Sequence, residues 1–96
     1  MNLLELEDQV RQAGEAEHIL SHPLVRSALL ALKADAYEKI ESTKPSQTAE
    51  REFLYHRIQA INGFESQFTY HIEEGRMARG MIEEYRARQQ AKRRRT

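Results

Sequence analysis

The longest regular pattern of apolar and polar positions runs from Ser46 to Glu74. Its large apolar residues follow one another in steps of three and four residues, which places their side chains along one side of a helix. Pro45 precedes the pattern and Gly75 follows it, and both indicate helix ends. The apolar positions are Leu54, Ile58, Ile61, Phe64 or Phe68, and Ile72.

Two shorter apolar patterns precede this long helix. The first predicts an N-terminal helix over about residues 3–20, with Asn2 as its N-cap. The second is more apolar and predicts a helix over about residues 23–43. The connection from Thr43 to Ser46 is short, which implies antiparallel neighbours. Residues 23–43 and 46–74 should therefore form a helical hairpin.

The composition changes after Gly75. A short apolar stripe that ends near Tyr85 predicts a basic C-terminal helix over about residues 77–90. The predicted fold class is therefore all-α, with a hairpin, an N-terminal helix and a basic C-terminal helix. The predicted organisation is a helical domain over residues 1–75, followed by a basic helix and tail over residues 76–96.

Apolar side chains on two sides of the 46–74 helix predict more than one neighbour for it. The second neighbour is either another chain or the N-terminal helix on the far side. Gly63 within this helix indicates a close approach by another helix or a mild bend. The candidate protein-interface residues are Phe53, Phe64, Tyr70, Met77, Met81 and Tyr85.

Composition limits the core that the chain can build alone. The 96 residues are 40% hydrophobic and 31% charged, which suits one small domain. Few apolar side chains serve long helices, so we expect a partner to complete their burial. The chain has no cysteine, which excludes disulfides and thiolate metal sites. No segment is apolar and long enough to predict a membrane span.

The net charge of zero conceals an asymmetry between the two ends. Residues 1–75 carry thirteen acidic residues against seven Lys and Arg, a net charge of −6. Residues 76–96 carry eight Lys and Arg against two acidic residues, a net charge of +6. These basic residues are candidates for binding DNA or an acidic protein, including the N-terminus of a second copy. They are Arg76, Arg79, Arg86, Arg88, Lys92, Arg93, Arg94 and Arg95.

Neither a catalytic motif nor a complete metal motif is found. His18 and His22 are four residues apart, but the metalloprotease glutamate is missing and Pro23 interrupts the helix. Glu15 and His18 match the Glu-x-x-His spacing of di-iron bundles, which only a symmetric dimer could complete. We expect a non-enzymatic protein without cofactor or bound metal. A dimeric metal-binding protein stays as an alternative.

Four short motifs lie between residues 15 and 78: Ile19-Leu20, Pro23-Leu24, Arg51 with Phe53-Leu54, and Gly75-Arg76. With these motifs the chain resembles small, mostly uncharacterised helical proteins encoded by tailed bacteriophages, often near head-assembly genes. The resemblance implies a virion or assembly role, in the host cytoplasm or the virion, and supplies no catalytic residues. The expected partners are further copies of the chain, other phage structural proteins or DNA, without a membrane. A nucleic-acid-binding regulator is the alternative function.

Overall fold

The structure is a computed structural model, which describes residues 1–95. It contains three helices, α1 (Leu3–Ser21), α2 (Pro23–Glu41) and α3 (Thr48–Arg95), and no strand within those residues. The all-α fold and the helical hairpin predicted from the sequence are therefore confirmed. The separate basic helix after Gly75 is not found, because α3 continues for 48 residues.

Local polar groups determine where α1 and α2 begin. The Asn2 side chain accepts a hydrogen bond from the Glu5 backbone N–H at 2.9 Å, which confirms the predicted N-cap of α1. His22 is the only residue between α1 and α2, and its Nδ1 atom accepts from the Leu24 N–H at 3.2 Å. Pro23 follows as the first residue of α2, where its missing N–H costs no helical hydrogen bond.

The chain divides into two compact units, and α3 contributes residues to both. The central unit comprises residues 19–67, and the terminal unit comprises residues 1–18 together with residues from 68 onward. In the central unit, Lys33 Nζ lies 2.6 Å from Glu65 Oε1 and Arg57 Nη1 lies 3.9 Å from Asp35 Oδ2. The earlier of the two α2 residues thus contacts the later of the two α3 residues, as an antiparallel hairpin requires.

The terminal unit pairs α1 with the second half of α3. Its buried cluster contains Leu6, Ala78 and Ile82, with Val10 packed against it. Gln9 Nε2 donates a hydrogen bond to Glu74 Oε2 at 3.3 Å. The sequence pattern predicted both of these helical stretches but did not predict that they pair with each other.

Gly75 explains why the predicted helix end is wrong. A glycine that ends a helix normally adopts a positive φ, and no residue of the described chain does so. Gly75 is instead buried inside α3. A Cβ atom at this position would collide with the Cβ of Ala13 and would lie 3.2 Å from the carbonyl oxygen of Gln9. The close approach therefore occurs at Gly75, whereas a Cβ at Gly63 would meet nothing within 4 Å in this chain.

Two series of α3 residues, each with a spacing of seven, form its packed side. We call these two series together the seam. One series stays buried or half-buried along its whole length: Leu54, Ile61, Phe68, Gly75, Ile82 and Gln89. The other begins with Ile58, Glu65 and Ile72 and continues with the exposed residues Arg79, Arg86 and Arg93. A spacing of seven is the repeat by which paired helices keep one seam facing a partner.

Candidate functional site

The predicted basic residues all lie on the exposed surface of α3. Arg76 Nη2 is 2.9 Å from Glu73 Oε2, one turn earlier on the same helix. Six further basic residues have no carboxylate of residues 1–95 within ion-pair distance. They are Arg79, Arg86, Arg88, Lys92, Arg94 and Arg95. We call residues 86–95 the basic segment; it contains six Lys and Arg and no acidic residue.

The acidic N-terminus and the basic C-terminal half of α3 belong to the same unit of one chain. Residues 1–18 carry five acidic residues and one arginine, while residues 68–95 carry eight Lys and Arg and four acidic residues. A shallow recess between the two stretches is lined by Glu7, Val10 and Ile82 together with Arg79, Glu83 and Arg86. The opposite charges considered above for contacts between copies thus lie near each other within one chain.

Much of the acidic charge on α1 is already engaged locally. Arg11 lies 2.6 Å from Asp8 Oδ1 and 2.8 Å from Glu15 Oε1. The hydrogen bond that Arg11 donates to Asp8, aided by the charges of both carboxylates, raises the pKa of Arg11. Glu15, which the sequence spacing pairs with His18, thus forms an ion pair with Arg11. No group of three or more potential metal-binding side chains occurs in residues 1–95.

The central unit contains an open apolar groove of about 540 Å³. α2 contributes one wall and α3 the other, and Arg57 is the only charged residue in the lining. The Arg57 guanidinium lies 3.9 Å from Asp35, which partly neutralises it. The lining residues are Val25, Ala28, Leu29, Leu32, Arg57, Ala60, Ile61 and Phe64.

The candidate interface residues are all exposed, and they divide between the two units. Phe64 is 56% exposed and lines the groove. Phe53 also belongs to the central unit. The other four candidates, Tyr70, Met77, Met81 and Tyr85, belong to the terminal unit. The Tyr70 ring packs edge-on against His71, with 5.7 Å between ring centroids.

Sequence reasoning missed the small and aliphatic residues that complete the groove. Leu32 lies on the apolar side of α2, is 44% exposed and lines the groove. Ala28 and Ala60 carry no strong sequence signal, because alanine suits any helix face. Their position directly beside Leu29 and Ile61 was the available clue.

No protein-family model, curated protein or solved structure matches this chain. Within residues 1–95, none of the helices combines the length and the apolar character that a bilayer span requires. The fold and its surfaces define the chain as an all-α helical hairpin protein with an apolar groove and a basic segment.

Proposed function

We propose that this chain is a non-enzymatic structural or assembly protein that acts through helix–helix contacts. Its central unit pairs with a second copy, and its basic segment contacts an anionic partner. The resemblance to small tailed-phage proteins makes assembly of a phage particle the proposed setting. The single observation that supports this function best is the apolar groove between α2 and α3.

The groove leaves apolar side chains of a small protein in contact with water. Leu32 and Phe64 both remain substantially exposed, although burial of one such side chain contributes about 1.5–3 kcal/mol. The core of the described chain contains nine buried hydrophobic residues, of which four are alanines. A second helical layer over the groove would therefore add apolar burial that the single chain lacks.

A second copy suits this groove because the central unit is electrically balanced. Residues 19–67 carry six acidic and six basic residues, so two copies do not repel each other through net charge. An isologous contact would place the same groove of each copy against the other. Two hairpins joined in this way form a four-helix bundle, in which each hairpin covers the apolar side of its partner.

Sedimentation equilibrium tests this self-association directly. We expect a dimer or larger assembly whose dissociation constant rises at least tenfold in the variants Leu32→Glu and Ala60→Glu. The dissociation constant rises because each variant would bury an unpaired carboxylate in the contact, which costs free energy. Tyr55→Glu is the matched control, because Tyr55 is exposed on α3 and outside the groove. A chain that stays monomeric at all accessible concentrations would overturn the proposal.

A nucleic-acid-binding regulator is the second candidate function, and the basic segment favours it. Six cations within ten residues can neutralise several phosphates. This candidate differs from the first in one measurable way, because it requires nucleic-acid binding without self-association through the groove. A monomer that binds DNA with unchanged affinity in the Ala60→Glu variant would favour the regulator.

A further inference from the structure

We infer that the basic segment binds the phosphate backbone of a nucleic-acid duplex by lying in one of its grooves. The inference deepens the proposed function, on which it rests, by naming the anionic partner. Five observations support it: the exposure of the segment, the charge of its seam positions, the distribution of its cations, the pairing of the acids on α1, and the lack of aromatic residues in the segment.

The basic segment extends beyond the packed part of the terminal unit. Ile82 is the last buried residue of α3, and Gln89 is the only half-buried residue between positions 86 and 95. The segment is nevertheless helical to Arg95. It therefore presents a formed helix to a partner, and little conformational entropy would be lost when that helix binds.

The seam positions change their chemistry in this segment. Ile58 and Ile72 occupy one seam series, whereas the same series continues as Arg86 and Arg93. Gln89 follows Ile82 in the other series. A neighbouring apolar helix would have to take these guanidinium groups out of water, at a cost of several kcal/mol for each ion. The segment is thus unsuited to continue the helical pairing and suited to an anionic partner.

The cations surround the helix axis instead of forming one stripe. At 100° per residue, the six cations of the segment leave no arc wider than about 100° without a positive charge. A flat acidic surface would engage one side of such a helix. A nucleic-acid groove has phosphates along both of its walls, so it can engage several sides at once. The segment is about 15 Å long, and the major groove of B-DNA, about 12 Å wide, admits an α-helix.

The acidic helix of a second copy is a weaker partner than a duplex. On α1, Asp8 and Glu15 are already paired with Arg11, and Glu5 accepts a hydrogen bond from Asn2. Few carboxylates there remain available for six cations. The zero net charge of the chain does not prevent duplex binding, because charges more than about 10 Å away are screened at 0.1 M salt.

A duplex also fits better than a single strand. Proteins that bind single strands without sequence preference stack bases on aromatic side chains. The last aromatic residue of the chain is Tyr85, so the basic segment contains none. The segment offers charge without a stacking surface, which favours contacts to backbone phosphates that do not depend on sequence.

Fluorescence anisotropy of the full chain with a labelled 20-base-pair DNA duplex tests this inference. We expect binding at 50 mM salt, with log K falling linearly against log salt. The triple variant Arg88→Gln, Lys92→Gln, Arg95→Gln should bind at least tenfold more weakly. Its salt slope should be smaller by about 2.7, since each neutralised phosphate contributes about 0.9.

The control is a triple variant that removes three cations from the central unit: Arg26→Gln, Lys44→Gln, Arg51→Gln. It has the same net charge as the test variant, and its affinity and salt slope should match those of the unaltered chain. An equal loss of affinity for the duplex in both triple variants would overturn the inference. So would the absence of duplex binding at 50 mM salt, or equally tight binding of polyglutamate or of a single strand of the same length.

Sedimentation of the same samples without DNA separates this inference from the proposed function. If self-association is retained but the duplex is not bound, only the partner of the basic segment is wrong. If the duplex is bound by a monomer, the proposed assembly through the groove is wrong and the inference about the segment is supported.

Discussion

At the scale of single residues, a missing side chain allows α1 to approach α3 closely in the terminal unit. Gly75 faces Ala13, and there is no space for a Cβ atom between them. The φ of Gly75 is not positive, so space rather than backbone conformation requires the glycine. Gly80 lies on the same helix five residues later, and a Cβ there would meet nothing within 4 Å.

These two glycines give opposite predictions for the same substitution. Gly80→Ala should raise the free energy of unfolding by about 1 kcal/mol, because alanine is the better helix former. Gly75→Ala should lower it by about 1–3 kcal/mol, since the added methyl group must displace Ala13 or the α1 backbone. Urea unfolding followed by circular dichroism measures both values. Stabilisation of both variants by the same amount would contradict the close contact.

At the scale of elements, α3 follows a repeat of seven residues from Leu54 to Gln89. Glu65 occupies a seam position between apolar neighbours, and Lys33 of α2 neutralises it at 2.6 Å. Both side chains are only about one-third exposed, at 26% and 35%. A polar pair at such a position stabilises one register of two helices over others. The Lys33–Glu65 pair therefore favours the register in which α2 and α3 align.

Charge exchange tests this alignment. Glu65→Lys should lower the free energy of unfolding by roughly 1 kcal/mol, because two lysines would then face each other. The double variant Lys33→Glu, Glu65→Lys should recover most of that loss. Glu52→Lys makes the same charge change at an exposed α3 position and should alter stability by less than about 0.5 kcal/mol. Failure of the double variant to recover stability, measured by thermal unfolding, would show that the two side chains do not pair.

The hairpin could be predicted from the sequence because its signals are local. The three-to-four spacing from Leu54 to Ile72 and the short connection after Thr43 each depend on neighbouring residues alone. The continuity of α3 could not be predicted, because a glycine such as Gly75 is compatible with both a helix end and a close contact. Only the position of Ala13, sixty-two residues away in the sequence, decides between the two.

The basic segment could likewise be predicted, since consecutive cations are visible in the sequence itself. The groove could not, because it requires two helices to be aligned. Leu32 and Phe64 belong to different helices, and each alone could equally contact the partner helix. In the observed alignment of α2 and α3, both residues lie in the groove lining.

At the scale of the whole molecule, the packed part of α3 and the basic segment are separate stretches of the helix. Buried residues extend only as far as Ile82, whereas six cations follow between residues 86 and 95. The basic segment therefore contributes little to the stability of the chain. It is free to be specialised for a partner, because substitutions there do not disturb a core.

A truncation after Tyr85 tests this separation. We expect it to change the free energy of unfolding by less than about 1 kcal/mol, because no buried side chain is removed. The reference variant Leu6→Ala keeps the basic segment but opens a cavity in the terminal cluster, and it should cost about 2–5 kcal/mol. Chemical unfolding followed by circular dichroism compares the two. A larger loss from the truncation than from Leu6→Ala would show that the segment belongs to the core.

The antiparallel pairing also determines an order of events during folding. The contact between Lys33 and Glu65 closes a chain segment of 32 residues, whereas the contact between Gln9 and Glu74 spans 65. Each doubling of loop length adds about 0.6 kcal/mol of closure entropy, so the central unit should form first and the terminal unit last. Stopped-flow kinetics should then show slower refolding for Leu54→Ala and faster unfolding for Leu6→Ala. A hairpin that closes from its turn pairs its two chain ends last, and these same ends carry the opposite charges.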